Sequence, residues 1–324
     1  EDLLPPPRAP PPTTKSWTRD GSKVFALLLS WYMCSSLSNN FAKAILTQLS
    51  FPLTLTIAQF AFISFFTWLF ITVGRVEVDP VNVELIKRAF PVTAGNVVAH
   101  FLTSLSLNLV PVSFTHTIKA TSPIFTVLVS MIFLRKRYEW PVLLSLVPII
   151  LGTTMCTFSE VSYNFIGFMA AFGSTLLFTV QNIYSKKLFK DFKIHHLTLL
   201  FTSSSLGMII VFPAWLYYDF AALQSTTNYD PAHITFNFLA MGCMHFLQNL
   251  SAFTVLSVVS PLTYTIGSAG KRIFVIVSAV LWFGNAVQWI NAAGIIISLS
   301  GVVAYNRARF NAARRITRLH THKI

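Results

Sequence analysis

The chain has 324 residues, 54% of them hydrophobic and only 11% charged, with a formal net charge of +13. This balance excludes a large soluble domain and fits a polytopic helical membrane protein. The Lys and Arg excess gathers in tails and connections, so orientation in a bilayer accounts for it and no nucleic-acid partner is expected.

The first residues, opening with P-P-P-R-A-P-P-P, read as a disordered cytoplasmic leader over 1–22. Ten apolar spans follow, at roughly 24–47, 51–74, 86–109, 111–134, 140–158, 162–185, 196–217, 233–259, 261–284 and 287–306. A basic cytoplasmic tail closes the chain over 307–324. Lys15, Arg19 and Lys23 precede the first span, and Arg75, Lys87 and Arg88 lie between the second and third. Arg135, Lys136 and Arg137 follow the fourth, Lys186, Lys187, Lys190 and Lys193 the sixth, and Arg307, Arg309, Arg314, Arg315 and Arg318 the tenth. The alternate connections contain no Lys or Arg, which predicts both termini on the cytoplasmic side.

An offset of 150 aligns Pro111-Val-Ser-Phe-Thr115 with Pro261-Leu-Thr-Tyr-Thr265, and the next spans carry glycines at similar places, Gly152 and Gly301. The predicted fold is therefore an all-α membrane protein of ten transmembrane helices in two inverted five-helix repeats, 23–160 and 161–306. Inverted repeats with charges on matching helices mark alternating-access transporters, whose site lies where the repeats meet.

The first span carries Ser36, Asn40 and Lys43 on one face. Lys43 is a candidate cavity or gate residue, or it snorkels to the interface. The third span shows Thr93, Asn96, His100 and Thr103 as a polar stripe, which serves either a cavity or interhelical hydrogen bonds. In the fourth, Thr115, His116 and Lys119 share a helix face. The eighth carries His245, Gln248 and Asn249. In the ninth, Lys271 and Arg272 stand side by side about 15 Å from the start of the span, near the bilayer midplane. Charges there are costly, and acidic residues sit almost wholly at the connections, so Lys119, Lys271 and Arg272 point to an anionic ligand.

Cys34, Cys156 and Cys243 fall inside apolar segments and give neither a disulfide framework nor metal-ligand spacing. No phosphate-binding loop or dinucleotide fingerprint is present, so neither a metal nor a cofactor is expected. The core also lacks the acid–base constellation of an enzyme, and no catalytic residue is assigned.

The motifs V-S-F-T-H-T-I-K-A (112–120), S-L-V-P-I-I (145–150) and G-K-R-I-F-V-I (270–276) resemble the triose-phosphate translocator branch of the drug/metabolite transporter superfamily. Q-N-I-Y-S-K-K (181–187) and K-I-H-H-L (193–197) are similar to subfamily E of solute carrier family 35 and its fungal relatives. The resemblance covers nearly the whole chain after Ser16. It implies exchange of a phosphorylated metabolite for inorganic phosphate, with the phosphate group held by Lys119, Lys271 and Arg272. It assigns His100 and Thr103 to the organic part of the substrate, with Gln248 standing where the family has a tyrosine. Asn96, His116, His245 and Tyr264 join Lys43 as candidate cavity or gate residues. A nucleotide-sugar or nucleoside monophosphate antiporter is the alternative, because Gly267 to Lys271 partly echoes a motif of those carriers. Endoplasmic reticulum or Golgi membrane is expected rather than a plastid envelope, and the oligomeric state is left open.

Overall fold

The computed structural model describes residues 14–76, 78, 81–133, 135, 137–159, 163–192, 196–226, 229–258, 261–284 and 288–321. Side chains are described except at 14–23, 133, 185–192, 196, 253, 256–258, 261–266, 269 and 313–321. The described residues form helices with no strands. In order these are α1 (Thr14–Gln48), α2 (Pro52–Gly74), α3 (Val83–Leu109), α4 (Val112–Lys119), α5 (Ser122–Phe133), α6 (Trp140–Leu144) and α7 (Leu146–Ser159). Then follow α8 (Phe165–Phe192), α9 (His196–Trp215), a π-helical turn (Leu216–Phe220), α10 (Ala221–Ser225), α11 (Pro231–Val258), α12 (Pro261–Phe283) and α13 (Trp289–Thr321).

Local chemistry sets these boundaries. Pro52 occupies the first turn of α2, where its missing N–H costs nothing. Asn82 caps α3, its side chain accepting from the Leu85 N–H at 2.7 Å. The predicted fourth and fifth spans are each broken. The interruptions follow Lys119 and Leu144, four residues before Pro123 and Pro148, whose rings cannot supply the N–H that those carbonyls need. The predicted connection 218–232 is shorter than expected, because α9 continues through the π turn into α10. That turn buries Asp219, whose carboxylate accepts from the Thr54 N–H at 2.8 Å and from Thr54 Oγ1 at 3.0 Å. Asp219 thus caps the first turn of α2 from another helix.

Among the described residues, five segments are long and apolar enough to cross a membrane: Pro52–Gly74, Trp140–Ser159, Phe165–Tyr184, Leu197–Ser225 and Trp289–Ala312. The other five predicted spans correspond to α1, α3, α4–α5, α11 and α12. These carry every candidate site residue named from the sequence, and their polar stripes lower their hydropathy.

Helix packing is closest for α1 with α11, α3 with α8, α2 with α9 and α7 with α13. Further contacts join α12 to α1 and α4, α4 and α5 to α8, α11 to α2, and α9 to α3. The α7–α13 seam depends on glycine. A Cβ added at Gly152 would lie 2.3 Å from the Ser298 nitrogen and 2.4 Å from the Gly294 oxygen, both backbone atoms. Gly301 is also close-packed, with an added Cβ 2.8 Å from the Ile149 nitrogen. Outer faces expose Phe25, Phe65, Trp68, Phe158, Leu281 and Trp289, as lipid-facing and interfacial positions do.

Candidate functional site

The polar residues that depress the hydropathy of α1, α3, α4, α11 and α12 meet inside the helix assembly. Lys119, the last residue of α4, is half-buried, and its Nζ donates to Thr103 Oγ1 of α3 at 2.9 Å. The same ammonium lies 5.3 Å from the centre of the Phe178 ring of α8. His100, one turn before Thr103, packs edge-on against that ring at 5.2 Å. Phe178 therefore joins the α3 stripe to the α4 cation. On α12, Lys271 Nζ lies 5.0 Å from the centre of the buried Trp31 ring of α1. Both lysines thus rest on an aromatic face, which stabilises a desolvated ammonium by about 1–2 kcal/mol.

The cations form one electrostatic group. Lys119 feels the charges of Lys271 and Arg272, and Lys271 feels Arg272. All three side chains are half-buried rather than sealed. His116, buried on α4, sits in the field of all three and shares a hydrogen bond with Asn39 of α1 at 3.2 Å. Three like charges in one interior repel each other, and a dianion between them would relieve that repulsion.

Beside the cations lies a neutral polar cluster. His100 Nδ1 is 3.2 Å from Gln59 Oε1 of α2, and its ring lies 5.1 Å from Phe60 and 5.8 Å from His245. His245 is buried, and its Nδ1 lies 3.1 Å from Ser38 Oγ and 2.6 Å from Gln248 Nε2. Among the described residues its Nε2 has no hydrogen-bond partner, and the same holds for the buried Asn96 Oδ1.

The structure therefore brings Lys119, Lys271, Arg272, Thr103, His100, His116, His245 and Gln248 into one interior. Lys43 has different partners. Its Nζ donates to the carbonyls of Leu107, Asn108 and Val110 at 2.6, 3.4 and 3.2 Å, capping the C-terminal end of α3. Thr115 turns to Ser106 at 2.9 Å. The side chain of Tyr264 lies outside the described residues. Sequence reasoning passed over Gln59, Ser38, Asn39, Trp31 and Phe178. Gln59 had a signal, as the one amide in α2. The two aromatics had none, since Phe and Trp are ordinary in such helices.

An apolar helical shell around a cationic interior defines a membrane protein. The chain belongs to the Triose-phosphate Transporter family, whose model matches residues 22–306. This is a family of transporters, not of enzymes. The chain is 34% identical over 298 residues to the Schizosaccharomyces pombe protein named Putative transporter C83.11, covering 87% of this chain and 66% of that protein. It is 34% identical to the Oryza sativa subsp. japonica chloroplastic phosphoenolpyruvate/phosphate translocator 3, covering 89% and 75% of the two chains. The Arabidopsis thaliana chloroplastic glucose-6-phosphate/phosphate translocator 1 is 31% identical, with coverage of 91% and 78%. A crystal structure superposes with a TM-score of 0.55 at 14% identity, covering 90% of this chain and 96% of that one, and so shares the fold.

Proposed function

We propose that this protein is a secondary transporter that exchanges a phosphorylated metabolite for inorganic phosphate by alternating access. Lys119, Lys271 and Arg272 hold the dianionic phosphate group, the lysines as compact charges and Arg272 as a planar donor fork. The observation that carries this reading is the convergence of three cations from α4 and α12 in one acid-poor interior. The names of the plant relatives agree, since each pairs a phosphorylated metabolite with phosphate.

The reading includes ten spans, counting α4 with α5 and α6 with α7, in two inverted repeats. Exchanging helices five spans apart turns the α1–α11 contact into α8–α3, and α2–α11 into α9–α3, and both members of each pair occur. The same exchange carries the Lys271–Trp31 contact of α12 and α1 onto the Lys119–Phe178 contact of α4 and α8. Both termini face the cytoplasm on the basis of the Lys and Arg distribution. Residence in the endoplasmic reticulum or Golgi is part of this reading and rests on the likeness of the 181–187 and 193–197 motifs to fungal carriers, while the plant relatives are named chloroplastic.

Without an anion, the mutual repulsion of Lys119, Lys271 and Arg272 is unrelieved, so reorientation of the unloaded carrier is costly and transport is obligate exchange. The test is uptake of labelled phosphate into proteoliposomes. Internal phosphate should be required, and Lys271→Ala should abolish uptake. Equal uptake into phosphate-free vesicles would contradict the scheme.

A further inference from the structure

The histidine pair beside the cations carries more information than its polarity, because the neighbours of each ring fix where its proton sits. His100 Nδ1 faces Gln59 Oε1 at 3.2 Å. A carboxamide oxygen only accepts, so Nδ1 bears the proton, and in the neutral ring Nε2 is left as an acceptor. His245 has the opposite arrangement. Its Nδ1 lies 2.6 Å from Gln248 Nε2, an amide nitrogen that only donates, and 3.1 Å from Ser38 Oγ, which can donate as well. Nδ1 is thus the acceptor, and the proton is on Nε2. His245 is 7% exposed, and among the described residues that Nε2–H meets no protein acceptor. Buried donors are nearly always paired, so this one marks a position where a substrate atom fits.

The two rings stand 5.8 Å apart, almost perpendicular at 82°, on α3 and α11. His100 is within reach of the field of Lys119, and His245 within that of Lys119 and Lys271. The pair therefore lies beside the cations proposed to hold the phosphate.

We propose that His100 Nε2 and the His245 Nε2–H form a matched acceptor and donor that reads a hydroxyl group next to the phosphate ester. The carrier is therefore selective for hydroxyl-bearing phosphate esters over phosphorylated carboxylic acids. A hydroxyl satisfies both nitrogens at once, donating to His100 and accepting from His245. A carboxylate oxygen satisfies only His245 and places its lone pairs against that of His100. Specificity of this kind is strong because the mismatched ligand leaves buried polar groups unpaired. Gln248 acts through His245 as a positioning residue. Its amide is spent on holding the tautomer.

This inference rests on the phosphate-exchange reading, and the experiment separates the two. Purified protein is reconstituted with internal phosphate. The KM values for external glycerol 3-phosphate and phosphoenolpyruvate are then compared; both have three carbons, so size does not confound the ratio. Phosphate/phosphate exchange is the control. The expected result is a KM for glycerol 3-phosphate about tenfold or more below that for phosphoenolpyruvate. His245→Gln places an amide N–H near the position of Nε2 and should keep that ratio within about threefold, whereas His245→Asn, which mimics only Nδ1, should collapse it toward one. Gln248→Leu should erode the ratio less than His245→Asn does. If phosphate/phosphate exchange occurs but phosphoenolpyruvate is taken as well as glycerol 3-phosphate, the hydroxyl pair is overturned while the phosphate reading stands. Equal ratios in the Gln and Asn variants would reduce His245 to a structural part and also overturn it. Failure of phosphate/phosphate exchange in the unmodified protein would refute the phosphate reading itself.

Discussion

Replacing Lys43 with methionine separates a structural role from a transport role at a position where the sequence allowed either a cavity or an interfacial reading. Methionine keeps the apolar stem and removes the ammonium. Three carbonyls at the end of α3 then lose their donor, and two of them belong to Leu107 and Val110, each only 1% exposed. An unpaired buried carbonyl costs about 1–3 kcal/mol, and a cation at a partly buried helix C-terminus contributes up to about 2 kcal/mol. Water can reach the Asn108 end, so the expected loss is about 2–4 kcal/mol rather than the full sum. At roughly 2–4 °C per kcal/mol, the unfolding midpoint should fall by on the order of 5–10 °C. Differential scanning fluorimetry of the detergent-purified protein measures this, with the phosphate-induced shift recorded in parallel. The cap predicts a lower midpoint with the phosphate response retained. An unchanged midpoint with the phosphate response lost would refute it and return Lys43 to the cavity.

Gly152→Ala should prevent close packing of α7 on α13, because the new methyl meets backbone atoms at 2.3 and 2.4 Å that cannot step aside. Size-exclusion profiles of the tagged variant should show little monodisperse protein, and a normal profile would contradict the seam. Asp219→Ala removes both bonds to Thr54 and should lower the midpoint by several degrees, with Asp219→Asn intermediate because one amide oxygen still accepts. Trp31→Leu keeps apolar volume but removes the ring under Lys271, and should weaken phosphate binding about fivefold. Trp31→Phe should stay close to the unmodified protein, and equal losses in the two variants would point to packing alone.

The cationic core was legible in the sequence because a charge deep in an apolar run has few explanations, and Lys119, Lys271 and Arg272 stand out on that ground alone. The polar stripe of α3 was legible from its spacing. The breaks after Lys119 and Leu144 could have been read from Pro123 and Pro148, since each proline removes the N–H that the carbonyl four residues earlier requires. Other features depend on tertiary neighbours, which no helical period reports. Lys43 caps a helix about sixty residues away, and Asp219 caps one more than a hundred and sixty residues away. Gln248 stands where the resemblance expected a substrate contact, yet its amide is held by His245. Trp31 and Phe178 gain meaning only from the ammonium groups above them.

The most direct test of the anion site is calorimetric titration of inorganic phosphate into the purified protein and its Lys119→Met and Lys271→Met variants. The account predicts saturable binding by the unmodified protein. Each variant should bind at least about tenfold more weakly, as expected for the loss of one charge-assisted hydrogen bond in a buried site. Phosphate affinity that is unaffected by either substitution would contradict it.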